Sequence, residues 1–297
     1  MSNKYDRMLF LRELFPNNVP YFVSLNLTPS SNSLKIKALI DSLPESKDGY
    51  IVRFVEEDVL SEFKRQSFFC ETKEAVFVSL TEKNLFEHVN LIVQTNINKQ
   101  YNGLSTFLEK DEIYIEFVEE YRNVISKGIV TPIAVRLKEN DANFPSIPWK
   151  KVLTTSMIGS MRKLRESKGN VVLDFVIDKN DDIYFVDYNT ISKNLQYEQV
   201  SFKGEVKKWE EGLTKEECKQ KVIVAKYASP SIGDCIINSK GVITEYGGKL
   251  CHLSVLCVEN EIPFLPNISN ALDLLEEGCF VVVENGVLVQ VSNSDAS

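Results

Sequence analysis

Apolar residues recur at three- and four-residue spacing from the start of the chain. Met8, Leu9, Leu11 and Leu14 fall in phase, which predicts a helix over residues 4–15. Asn17-Asn-Val-Pro20 breaks that pattern, and Tyr21-Phe-Val-Ser-Leu25 reads as a strand. A serine-rich turn at 30–33 leads into a second helix near 34–43. Short apolar runs predict strands at 50–55, 76–80, 91–95, 113–118 and 129–136, and a helix follows over 150–167. Val171-Val-Leu-Asp-Phe-Val-Ile177 and Ile183-Tyr-Phe-Val-Asp187 flank the polar turn Lys179-Asn-Asp-Asp182, the pattern of a β-hairpin. The alternation of helices with clustered strands predicts an α/β (α+β) protein with antiparallel parts.

Residues 193–220 change character. They are polar and charged, including Lys207-Lys-Trp-Glu-Glu-Gly212, and read as a connector with one short helix near 214–222. A second unit follows. Its predicted elements are strands at 222–227, 234–237 and 242–244 and a helix at 252–259. A further helix from Asn270 ends at Gly278, a glycine placed to terminate it. Cys279–Val283 and Val287–Val291 form a hairpin around Glu284-Asn-Gly286, and the tail 292–297 is expected to fray. The expected domains are therefore residues 1–195, a connector at 196–220, and residues 221–297.

Composition narrows the function classes. The net charge of −8 argues against nucleic-acid binding, and no apolar run approaches a membrane span. Met1-Ser-Asn-Lys-Tyr-Asp-Arg7 lacks the apolar core of a signal peptide, so the cytoplasm is the expected location. The six cysteines form no CxxC pair and the two histidines lie far apart, which speaks against zinc. Several of the cysteines sit in apolar runs and read as reduced core residues.

The sharpest chemical signal is Thr244-Glu-Tyr-Gly-Gly-Lys-Leu-Cys-His252, followed directly by an apolar helix. Two glycines turn the chain, and an imidazole stands at a helix N-terminus, where free N–H groups favour an anion. Such a histidine can also accept a phosphoryl group covalently. His88 has no comparable surroundings. The series Val222–Pro230, Gly241-Val-Ile-Thr244, Gly247-Gly-Lys-Leu-Cys-His252, Ile262-Pro263, Ala271, Gly278 and Val281–Val283 resembles the mobile phosphohistidine domain of phosphoenolpyruvate synthase, pyruvate phosphate dikinase and rifampicin phosphotransferase. The resemblance implies that His252 is the phosphoryl carrier. Thr244, Gly247, Gly248 and Cys251 would shape the phosphate loop. Where the family often has Ala-Arg-Glu on the following helix, this chain has Cys257-Val-Glu259, so an arginine is missing while Glu259 is kept.

The N-terminal part resembles a reduced ATP-grasp domain. Asp174, Asp187 and Asn189 match the oxygen ligands that such enzymes use for Mg²⁺ between ATP phosphates. Glu116-Phe-Val118 resembles the strand that holds adenine through backbone groups, with Glu119 placed for the ribose and Arg122 and Arg136 directed at phosphates. Tyr50-Ile-Val-Arg53 resembles the phosphate-binding arginine segment of the phosphoenolpyruvate synthase group, without its serines. The usual Gly-x-Lys element is absent, which leaves Arg53, Lys64 and Arg65 as candidate substitutes.

Together these resemblances imply an ATP- and Mg²⁺-dependent phosphotransferase of dikinase type, with His252 moving between a nucleotide and an acceptor. No barrel or drug-binding region is visible, so the acceptor is expected beside the ATP site, on a partner protein or at the connector. Two rivals stand beside this reading. One is an ATP-grasp carboxylate–amine ligase, which would not need His252. The other is a non-catalytic nucleotide-binding regulator, favoured by the missing lysine, serines and arginine.

Overall fold

The computed structural model describes residues 3–28, 31–55, 67–82, 89–109, 112–119, 125–138, 158–192 and 200–292. The chain divides into two compact units, residues 1–100 with 175–188 and residues 101–174 with 189–297. No described helix is long and apolar enough to cross a membrane.

The first unit contains helix α1 (Lys4–Leu14), strand β1 (Phe22–Leu27), helix α2 (Ser33–Asp41), strands β2 (Tyr50–Phe54) and β3 (Phe68–Cys70), helix α3 (Lys73–Glu82) and strand β4 (Val89–Thr95). The strands form an antiparallel sheet in the order β1-β4-β2-β3. Alternate residues Leu25, Leu27, Tyr50, Val52, Leu91 and Val93 face a core closed by Ile36 and Ile40 of α2 and Val76 and Leu80 of α3. The run at 76–80, read from sequence as a strand, lies inside α3. Its β-branched and aromatic residues suggested a strand, but Val76 and Leu80 are buried one helical turn apart. The Thr72 hydroxyl accepts the Ala75 N–H at 3.0 Å and fixes the start of the helix.

A five-stranded sheet has the order β7-β6-β5-β8-β9. Its strands are β5 (Lys99–Glu109), β6 (Glu112–Glu119), β7 (Ile133–Lys138), β8 (Val171–Asp178) and β9 (Ile183–Thr190), with helix α4 (Ile158–Lys168) leading into β8. β6 pairs antiparallel with both β5 and β7. The predicted strand at 129–136 begins only at Ile133, and β5 had no counterpart in the sequence reading.

The C-terminal sheet has six strands in the order β13-β12-β11-β10-β14-β15. They are β10 (Phe202–Lys208), β11 (Val222–Tyr227), β12 (Gly241–Tyr246), β13 (Phe264–Leu265), β14 (Phe280–Glu284) and β15 (Val287–Ser292). Strands β10 to β13 run parallel to one another, while β14 is antiparallel to β10 and β15. Short helices α5 (Lys215–Cys218), α6 (Gly233–Ile236) and α8 (Ala271–Leu274) and the longer α7 (His252–Glu259) join them. Both faces of the sheet carry a core. Ile223 and Ala225 pack with Val242, Cys251, Leu253 and Cys257, while Val222, Val224 and Ile243 pack with Ala271, Leu275 and Val281. That double burial explains the unbroken apolar run of β11.

Two segments of this sheet region differ from their predicted form. Residues 234–237 are not a strand: the Ser229 hydroxyl caps a 3₁₀ turn at Pro230–Ile232, which continues into α6. Residues 202–208, assigned to the connector, are a strand between β11 and β14. Only Gly204 and Val206 of that strand are buried, so its polar alternation concealed it.

Candidate functional site

The segment after β12 turns at Gly247, whose φ of 130° is one that residues with side chains rarely adopt. A Cβ there would sit 2.5 Å from the Cβ of Ala228. The loop then runs through Gly248, Lys249 and Leu250 to Cys251, the N-cap of α7. His252 is the first residue of that helix, and its side chain is exposed. Its backbone N–H donates to the Ser126 carbonyl at 3.0 Å. The Ser254 hydroxyl donates back to the Lys249 carbonyl at 2.5 Å and closes the loop on its own helix.

Glu116 organises this loop from β6. Its Oε1 accepts the Lys249 N–H at 2.7 Å and the Tyr114 hydroxyl at 3.0 Å, and its Oε2 accepts the Leu250 N–H at 3.0 Å. The residue is 1% exposed. Burial pushes its carboxyl upward, and the amides of Leu250 and Lys249 pull against that rise. Gly248 permits the approach, since a Cβ there would collide with the Glu116 carboxylate. Apolar contacts extend the same junction: Leu250 is buried with Leu104, Tyr114, Val118, Val172 and Ile191, and Val255 and Val258 of α7 pack on that cluster. At the far end of α7, Glu259 accepts the Ser192 N–H at 2.7 Å and its hydroxyl at 2.5 Å. The docking helix is thus held by a carboxylate contact at each end.

Thr244 is fully buried, and its hydroxyl oxygen has no hydrogen-bond partner among the described residues. It shares a strand face with Val242, which packs against Cys251 and Leu253. Burial raises the Cys251 thiol to about 12, so the sulfur beside His252 stays protonated and is no nucleophile at neutral pH.

The other sequence candidates are dispersed. Val118 is buried on β6 in the cluster with Leu250, and Glu119 is exposed at the strand end. The β7 ladder stops at Phe117, opposite Ile133, so Val118 and Glu119 run on past it. Arg136 stands opposite Tyr114 and lies 4.0 Å from Glu112. Arg53 is half-buried on β2, opposite Ile92, in the first unit. Asp174 and Asn189 are half-buried on β8 and β9. Arg122, Lys64, Arg65 and His88 lie outside the described residues.

Asp187 has a different setting from the one expected of a metal ligand. Its Oδ1 accepts the Arg7 Nε at 2.7 Å and the Tyr188 N–H at 2.9 Å. Its Oδ2 accepts the Lys4 ammonium at 2.9 Å and a second Arg7 nitrogen at 3.2 Å. Four donors match the lone-pair capacity of a carboxylate. Burial pushes this carboxyl upward, but Lys4 and Arg7 outweigh it and hold the group at about 2. A magnesium ion here would have to displace at least one of those donors, so the arrangement does not fit an open metal ligand. Among the described residues, no group of three or more His, Cys, Asp or Glu side chains is arranged to hold a metal.

Sequence reading missed the side-chain role of Glu116 and the partners Tyr114, Ser126 and Ser192. A signal for Glu116 was present: a charged residue inside the apolar strand Ile113–Val118 needs a buried partner.

Residues 218–286 match the family described as PEP-utilising enzyme, mobile domain. That stretch contains the glycine turn, His252 and α7. Among solved structures, a Chryseobacterium gregarium RiPP-associated ATP-grasp ligase, in complex with ADP and a leader and core peptide, is 13% identical over 63% of this chain and 51% of its own, with a TM-score of 0.40. N5-carboxyaminoimidazole synthetase of Staphylococcus aureus is 15% identical over 65% of this chain and 44% of its own, with a TM-score of 0.42. The D-alanine-D-alanine ligase of Coxiella burnetii is 10% identical over 63% and 47%, with a TM-score of 0.38. The chain spans about half the length of these structures.

Proposed function

We propose that this protein is an ATP-dependent phosphotransferase of dikinase type in which His252 carries the phosphoryl group. The observation that supports this most is the position of His252: exposed, first in α7, after a glycine turn, inside the stretch that matches the mobile-domain family. A neutral imidazole has a lone pair for phosphorus, and amides at a helix start favour the charge that arrives. In this reading a ring nitrogen attacks the β-phosphorus of ATP. The N–P bond forms as the Pα–O–Pβ bridge breaks, and AMP leaves. Water then removes the terminal phosphate and leaves phosphohistidine. An acceptor hydroxyl or other nucleophile finally takes the phosphoryl group, and histidine is regenerated. Val118 and Glu119, beyond the end of the β7 ladder, are the proposed nucleotide contacts, with Arg136 on the same sheet.

The saturation of Asp187 favours a second reading, a non-catalytic protein that keeps the two folds. One experiment separates them. Incubation with ATP labelled at the β-phosphate, with magnesium present, should give an acid-labile label on the intact protein and release AMP. His252→Ala should lose both. Absence of label on the wild type, or its persistence in His252→Ala, refutes the carrier.

A further inference from the structure

We propose that the Glu116 carboxylate is a resident substitute for a phosphoryl oxyanion: it fills the amide pair of Lys249 and Leu250, and an oxyanion entering that pair displaces it and frees the histidine loop from β6. This rests on the reading of His252 as a carrier.

Three donors converge on the carboxylate, the two successive loop amides and the Tyr114 hydroxyl. Successive backbone N–H groups before a helix form an anion site whether the anion is carboxylate, sulfate or phosphate. Here the site lies two residues before the proposed carrier. A carboxylate at 1% exposure is an expensive way to join two surfaces, because its charge leaves water. A neutral side chain would serve if joining were the whole purpose. The charge matches amides whose alternative ligand is itself anionic.

Thr244 supplies the second observation. Its hydroxyl is fully buried, has no hydrogen-bond partner among the described residues, and lies on the strand face that meets α7. A carboxylate has two oxygens and a phosphoryl group three, so a phosphoryl group has an oxygen left for a further donor. Gly248 leaves the space that either anion needs beside the loop.

The test uses the full chain labelled with ¹⁵N and titrated with inorganic phosphate. In Glu116→Ala, the Lys249 and Leu250 amide resonances should shift saturably, with phosphate bound at least tenfold more tightly than by the wild type. Glu116→Gln, which keeps the shape, should also bind more tightly than the wild type, because its side-chain NH₂ would oppose one of the two loop N–H donors. It carries the test if the alanine variant does not fold. Equal affinity in variant and wild type, or shifts confined to other residues, overturns the proposal. Phosphate binding without ATP labelling of the wild type removes the carrier reading alone. Labelling without tighter binding in the variants removes this proposal alone.

Discussion

The buried carboxylates Glu116 and Asp187 meet opposite fates, and their partners decide which. Glu116 is met by neutral donors, and burial raises its carboxyl. Asp187 is met by two cations and held at about 2 against an ordinary 3.8. The difference for Asp187 is worth ~2 kcal/mol of folding stability. Because the folded-state value lies below the unfolded one, that contribution is complete above about pH 4 and disappears as pH falls towards 2. Urea unfolding of the wild type and Asp187→Asn should therefore differ by ~2 kcal/mol at pH 6 and converge near pH 2. A gap that does not change with pH would show that Lys4 and Arg7 do not hold the charge. Arg7→Met should weaken the protein at pH 6 in the same direction, since it leaves a buried carboxylate with fewer donors.

At the level of elements, α7 begins at His252, the proposed carrier, and its start is unusual. Cys251 occupies the N-cap with a thiol, a weak acceptor for the first-turn amides of Leu253 and Ser254. A serine hydroxyl there would accept a first-turn amide, so Cys251→Ser should stabilise the protein by ~0.5–1 kcal/mol, read as a higher thermal midpoint. No gain would mean that packing of the sulfur among Ala225, Val242 and Leu253 outweighs the cap. Gly247→Ala should do the opposite and cost ~2 kcal/mol or more, because its positive φ and the Ala228 Cβ at 2.5 Å both exclude a side chain. The histidine loop was legible in the sequence because glycines, an apolar helix and the flanking strands are all local signals. α3 was misread because Ala75-Val-Phe-Val-Ser-Leu80 is rich in strand-forming residues, and only the packing of Val76 and Leu80 against the sheet decides for helix. The need of Glu116 for a buried partner was legible, but which partner it finds was not. Its loop partners Lys249 and Leu250 lie more than 130 residues away, and no local pattern encodes a backbone amide as a ligand.

For the whole molecule, β10 changes what must move if His252 is a carrier. A strand seated between β11 and β14 would travel with them, so residues 202–208 cannot serve as flexible linker. The same strand decides which fragment keeps the cores of the C-terminal sheet. The two cores of the C-terminal sheet draw their residues from Val200 to Leu288 and include Val206 and Cys218. A fragment of residues 200–292 contains both cores complete. A fragment beginning at 221 leaves β11 and β14 without their shared neighbour and opens both faces of the sheet. The longer fragment should unfold in urea as a single cooperative transition, whereas the shorter one should show none. Equal cooperativity in the two would mean that β10 is dispensable, and a flexible linker could then extend through it towards β11.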